Sequence, residues 1–260
     1  MALLIGLDID GTIVHHDGSM SPVVREAVAA VRDAGHHVVL ATGRSLIGTV
    51  PIATKLGLAP SLAVCSNGAV TITVDEAGGY DLVEEVTFDP SAALTALEGQ
   101  WSDGIVASEV LGQGHLVSAP FPAGELEGEH RVVSWEELKA TRTTRITFRS
   151  PTGTSDDFEA LAERLGLHGV NYAIGFTAWL DINPEGVSKA SGLEAVRRTL
   201  GVEPGDTVAV GDHYNDLQML QWAARGVAMG QAPDAVKAVA DEVTATVEND
   251  GLAMVLNSLL

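Results

Sequence analysis

A single cysteine, Cys65, stands among 260 residues, so no internal disulfide can form and nothing asks for an oxidising compartment. Basic residues are scarce as well. Fifteen Lys and Arg, only four of them Lys, face 35 Asp and Glu, for a formal charge of -20. Polyanionic partners are met by clustered Lys and Arg, so neither nucleic acid nor a membrane surface is an expected partner. No stretch approaches the roughly 20 uninterrupted apolar residues that cross a bilayer. The opening apolar run meets Asp8 early and has no basic residues before it, unlike a signal peptide. A soluble, cytoplasmic protein is expected, monomeric or a small homo-oligomer. Gly and Pro, 28 and 10, fall short of low-complexity composition, and 46% hydrophobic content is that of a globular chain.

What is present has a repeating texture. Leu3 to Ile9 is a short apolar run ending in acidic residues and Gly11, the pattern of a buried strand that delivers polar groups at its carboxyl end. Ser21-Pro22 then opens an amphipathic helix through Val24, Ala27, Val28 and Val31, closed by Gly35. Val38 to Ala41 is a second strand, a helix follows around Ile52 to Leu56, and Leu62 to Cys65 is a third strand. Strand, helix, strand in this order implies parallel pairing with right-handed crossovers. From about residue 80 the texture changes to short runs, Val83 to Phe88, Ile105 to Leu111 and Arg145 to Arg149, between helical stretches at Pro90 to Glu98, Ser134 to Ala140 and Ser155 to Leu165. The first pattern returns with a helix from Lys189 to Leu200 and strands at Thr207 to Val210 and Gly226 to Met229. The expected fold is α/β: a discontinuous Rossmann-like parallel-sheet core, residues 1–82 and 183–260, with an inserted α+β module over 83–182. Acidity is shared by the two parts, each with a net charge of -10, so it marks no acidic tail.

In parallel sheets, reactive groups collect beyond the carboxyl ends of the strands. Four such ends carry polar residues: Asp8-Ile9-Asp10-Gly11-Thr12, Thr42-Gly43-Arg44, Ser66-Asn67-Gly68 and Gly211-Asp212-His213-Tyr214-Asn215-Asp216. Alone, Asp8 and Asp10 fit either a carboxylate-capped turn or a nucleophile beside a general acid. A calcium loop fits poorly, because Ser19 stands where its bidentate Glu belongs. Asp212 and Asp216, taken alone, fit a helix cap. Four carboxylates in one crevice repel unless a cation sits among them, and a hard ion with oxygen ligands such as Mg²⁺ is the economical choice. Thr42 and Gly43, at a helix start, fit either a cap or a seat for phosphate oxygens.

These motifs, with Lys189 between the second and the last, resemble the four ordered motifs of the haloacid dehalogenase-like phosphatases. Ser66-Asn67-Gly68-Ala69, the run Asp181 to Lys189, Met229-Gly230-Gln231-Ala232-Pro233 and Asn249-Asp250-Gly251 extend the likeness. The middle module resembles, in position and size, the class IIB cap of Cof-type sugar phosphatases. The resemblance implies that Asp8 attacks phosphorus and forms an aspartyl-phosphate, and that Asp10 serves as acid and then base. Thr42, Gly43, Lys189 and Asn215 would hold phosphate oxygens. Asp8, Asp10, Asp212 and Asp216 would bind Mg²⁺, the backbone carbonyl of Asp10 serving as its contact. Arg44 and Asn67 are further candidates at the site. The implied partner is a small phosphorylated metabolite, hydrolysed as a phosphate monoester. A phosphosugar mutase and a non-catalytic phosphometabolite binder are the competing readings. Selectivity would then come from the cap, with Gly104 to Val117 and Asn171 to Asp181, including Trp179, as candidate stretches.

Overall fold

The computed structural model describes residues 2–100, 103–150, 170–174 as backbone, and 179–260. The expected helix over Ser155 to Leu165 and the side chains over 171–178 lie outside the described residues.

Strand β1 (Leu4–Leu7) is buried at all four positions, as its unbroken apolar run requires. It pairs in parallel with β2 (His37–Ala41) on one side and with β12 (Thr207–Gly211) on the other. Beyond β2 lie β3 (Ser61–Cys65), then the antiparallel strands β4 (Val70–Val74) and β5 (Tyr80–Glu85). Beyond β12 lie β13 (Arg225–Ala228) and β14 (Glu242–Val243), completing an eight-stranded sheet.

Helices cover both faces of this sheet. Helix α1 (Pro22–Asp33) starts where Ser21 Oγ accepts from Val23 N at 3.2 Å, and it buries Val24, Ala27, Val28 and Val31 at helical spacing. It shares one apolar layer with α2 (Leu46–Lys55) and α8 (Gly251–Asn257). On the opposite face α5 (Lys189–Leu200), α6 (Leu217–Trp222) and α7 (Asp234–Lys237) bury Leu193, Val196, Met219, Leu220 and Val236.

The chain leaves the large sheet after β5 and builds a six-stranded sheet in the order β10-β11-β9-β6-β7-β8. Its strands are β6 (Ile105–Val110), β7 (Gly114–Val117), β8 (Glu129–Val132), β9 (Ile146–Arg149), β10 (Val170–Ile174) and β11 (Trp179–Pro184). One face is apolar: Val106, Leu116, Ile146, Phe148, Leu180 and Ile182 pack against α3 (Ser91–Leu97) and α4 (Trp135–Ala140). Because side chains alternate along a strand, the other face carries Glu109 opposite His115, and Thr147 opposite Asp181. That polar face looks toward the large sheet.

Both expected module boundaries fall inside strands. β5 stays with the eight-stranded sheet to Glu85, and β11 with the six-stranded one to Pro184. The run from Val83, read as the start of the middle module, is thus the end of an edge strand. All six residues of β5 are exposed, so it has no burial rhythm to announce its sheet.

Candidate active site

Four loops meet at the carboxyl edge of the large sheet. Asp8 follows β1, Thr42 follows β2, Asn67 follows β3 and Asp212 follows β12. Two glycines let them close in. Gly11 has φ 78°, and a Cβ there would stand 2.1 Å from Asp212 Oδ2; Gly68 has φ 102°, and a Cβ would stand 2.0 Å from Ser188 O. The second contact seats the 66–68 turn on the start of α5, whose capping box between Ser188 and Ser191 fixes the first helical turn.

Lys189 is the first residue of that helix and is buried to 1% exposure. Its ammonium donates to Asp8 Oδ1 at 2.7 Å and to Asp216 Oδ1 at 2.6 Å. The other oxygen of Asp216 accepts from the backbone N–H groups of Asp212 and His213, at 2.8 and 2.9 Å. Both oxygens of Asp216 are therefore engaged by protein donors, and it braces the lysine and the Asp212 turn. Oxygens of Asp8, Asp212 and Asp216 all lie within 4.8 Å of one another. Burial pushes the Asp8 carboxyl well above the usual carboxylate range, with Lys189 opposing and the neighbouring Asp216, Asp212 and Asp10 adding to it. Asp212 is pushed up to about 7 by burial and then by Asp216, against a hydrogen bond from Gln231. Burial disfavours charge on Lys189, but Asp216 and Asp8 outweigh it and hold the ammonium above its ordinary range. Among the described residues of this cluster, three buried carboxylates share one buried cation. The excess negative charge and the all-oxygen donor set fit a hard divalent ion such as Mg²⁺.

Asp10 stands apart from the cluster. Its side chain is 57% exposed, and both of its oxygens are taken by Arg44, from Nε at 2.8 Å and Nη2 at 2.5 Å. Those hydrogen bonds raise the Arg44 pKa further. Thr42 is buried, and its Oγ1 accepts from Arg44 N at 3.1 Å. Asn67, in the left-handed region at φ 53°, accepts from Asn215 Nδ2 at 3.1 Å and donates toward Asp181 and Asn183. Asn215 and Asn67 thus hold each other beside Gly43.

The polar face of the six-stranded sheet closes the site from above, leaving a cavity of about 390 Å³. Asp8, Asp10, Gly43, Arg44, Asp212 and Asn215 line it from below. From above come Glu125, Leu126, Glu127, Arg145, Trp179 and Asp181. Trp179, a candidate on sequence, is there; the Gly104 to Val117 stretch contributes no lining residue and serves the joint, where Ser66 Oγ donates to Glu109 at 2.9 Å. Arg145 escapes sequence reasoning. Its guanidinium, 5% exposed, donates to the carbonyl of Gly43 and pairs with Glu109 at 3.4 Å and Asp181 at 3.6 Å. Burial works against its charge, and Asp181 and Glu109 restore it. The signal was there, since Arg145, Thr147 and Arg149 alternate with buried Ile146 and Phe148.

The family model of the haloacid dehalogenase-like hydrolases matches residues 5–105 and 122–256. The chain belongs to the haloacid dehalogenase-like hydrolases. Several curated relatives that it matches over nearly their whole length are named phosphatases. Pyridoxal phosphate phosphatase YbhA of Escherichia coli (strain K12) is 28% identical over 99% of this chain and 98% of its own. A phosphoglycolate phosphatase of Natronomonas pharaonis is 29% identical over 99% and 97%. The solved structure of the subclass IIB sugar phosphatase BT4131 superposes with a TM-score of 0.84, covering 99% of each chain at 23% identity, a likeness of fold. This haloacid dehalogenase-like hydrolase is therefore a phosphatase.

Proposed function

We propose that this enzyme hydrolyses phosphate monoesters of small metabolites with Mg²⁺ bound, through an aspartyl-phosphate on Asp8, in the cytoplasm. The observation that carries the reading is the buried Asp8 carboxylate, one oxygen held by Lys189, with oxygens of Asp8, Asp212 and Asp216 within 4.8 Å of one another. A carboxylate attacking a phosphate dianion faces like-charge repulsion, and Lys189 offsets part of it. Asp8 and Asp212, with the backbone carbonyl of Asp10, would hold the metal, and Asp216 would back them. The metal supplies the remaining positive charge at the phosphoryl oxygens.

Asp8 forms the new oxygen–phosphorus bond while Asp10 gives its proton to the departing alcohol oxygen. Asp10 then takes a proton from the water that cleaves the acyl phosphate. In the substrate-free arrangement Arg44 holds both oxygens of Asp10, so Asp10 exchanges this pair for the leaving oxygen during turnover. Thr42, Gly43, Lys189 and Asn215 hold the phosphoryl oxygens. The six-stranded module acts as the cap, excluding bulk water until hydrolysis.

The test is phosphate release from a panel of esters with Mg²⁺, run beside Asp8→Asn. The substitution keeps the volume of the side chain and removes the nucleophile, so turnover should fall at least about a thousandfold with the fold intact by circular dichroism. Undiminished release by Asp8→Asn would end the covalent mechanism.

A further inference from the structure

Two runs of the sequence, Met229 to Pro233 and Asn249 to Gly251, take no part in the proposed reaction, yet the fold brings them together beside Asp212. Gly230 N donates to Ala245 O at 3.0 Å, and the loop that follows is tied by Gly251 N to Thr246 O at 3.1 Å and by Thr244 Oγ1 to Gly251 O at 2.9 Å. Gln231 sets its amide into this joint. Its Oε1 accepts from Val247 N at 3.0 Å, while its Nε2 donates to Gly11 O at 2.6 Å and to Asp212 Oδ2 at 3.2 Å. An amide nitrogen carries two protons, and both are engaged. The orientation is forced. Val247 N–H can only donate and the Gly11 carbonyl can only accept, so a reversed amide would set donor against donor and acceptor against acceptor. One side chain thus ties together the loops after β1 and β12 and the loop that leads into α8. Gln231 is not among the residues that line the cavity, so it reaches the reaction through Asp212.

The effect falls on the two oxygens of that carboxylate. Oδ2 packs on Gly11, where a Cβ would stand 2.1 Å from it and 3.1 Å from Oδ1, and the amide of Gln231 caps it. Oδ1 is the oxygen left to a cation, and the carboxylate is held from turning both oxygens toward one ion. Asp8 is restrained in the same way, with Oδ1 on Lys189. Single oxygens suit Mg²⁺, which takes about six ligands in near-ideal octahedral geometry. Ca²⁺ takes about 6–8 and often draws both oxygens of a carboxylate.

We infer that Gln231 is a positioning residue that fixes Asp212 as a one-oxygen ligand and thereby sets the preference of the site for Mg²⁺ over Ca²⁺. This rests on the Mg²⁺ site proposed above. Partners that orient a ligand in this way shape affinity although they never touch the ion.

Calorimetric titration of chelator-treated protein with Mg²⁺ and with Ca²⁺, at one pH, tests it without turnover. The parent should bind Mg²⁺ more tightly than Ca²⁺. Gln231→Met keeps the length of the side chain and removes its donors and its acceptor. Mg²⁺ binding should weaken about tenfold or more and Ca²⁺ binding much less, so the preference for Mg²⁺ should shrink by about tenfold. Loosening of the fold alone would weaken both ions alike. Val28→Ala, in the apolar layer under α1, is the control for that and should keep the parent's preference. A parent that prefers Ca²⁺, or a folded Gln231→Met with the parent's preference, overturns the inference and leaves the Mg²⁺-dependent reaction standing. A parent that binds neither ion and releases phosphate without metal removes the Mg²⁺ reading itself.

Discussion

Asp212 joins the chemistry of the site to the stability of the protein. Its carboxyl is raised from 3.8 to about 7, first by burial and then by Asp216. Between those values the folded, metal-free protein keeps a proton that the unfolded chain has released. Stability therefore falls as pH rises from about 4 to about 7, by up to about 4 kcal/mol from this residue. Asp212→Asn lacks the effect. In chelator-treated protein, the stability of the variant over the parent should grow with pH across that window in urea unfolding, and a constant difference would refute the assignment. Mg²⁺, which binds the ionised form, should stabilise the parent more at pH 7 than at pH 5. At this scale Asp8, Thr42, Lys189 and Asp212 were legible because each sits where a strand ends or a helix starts, positions that sequence punctuation marks. Glu125 and Glu127 were not, because they occupy a loop with no periodicity, and only the fold brings them over the phosphate end.

Helix α5 carries Lys189 into the crevice, and its N-terminal cap sets where the ammonium sits. Ser188→Ala removes the acceptor for Ser191 N, found at 3.2 Å. The expected cost is about 1 kcal/mol of stability, and kcat should fall by more than KM changes, since Lys189 loses its fixed origin. Denaturant titration beside steady-state kinetics checks both; an unchanged kcat would detach the cap from the chemistry. The parallel strands were readable as continuous apolar runs, and α5 spans Lys189 to Leu200 as expected. Exposed strands were harder: β8 shows solvent at all four residues and β5 at all six, so neither has a buried face to impose a pattern. Partners were hidden too. Nothing in the sequence around Arg145, just before β9, says that its guanidinium will meet the loop at Gly43.

For the whole molecule, a charge of -20 sets the long-range field that an anionic ester must cross. Raising the salt from about 20 to about 200 mM shortens the screening length from about 20 Å to about 7 Å and weakens that repulsion. With Mg²⁺ saturating, kcat/KM for a neutral-alcohol phosphate should rise about twofold through KM. A fall would place a net positive field at the cavity mouth. The insertion of one sheet module between two halves of another has a further result, which concerns the nascent chain. Leu4 pairs with His37 early, but its other neighbour, Thr207, is encoded two hundred residues later. At about 5–20 residues per second the ribosome delivers that neighbour tens of seconds after β1 has emerged. Throughout that interval β1, wholly buried in the finished protein, has one backbone edge without its native partner. The half-made chain is thus the form most exposed to adventitious strand pairing, and the arrival of β12 ends that exposure.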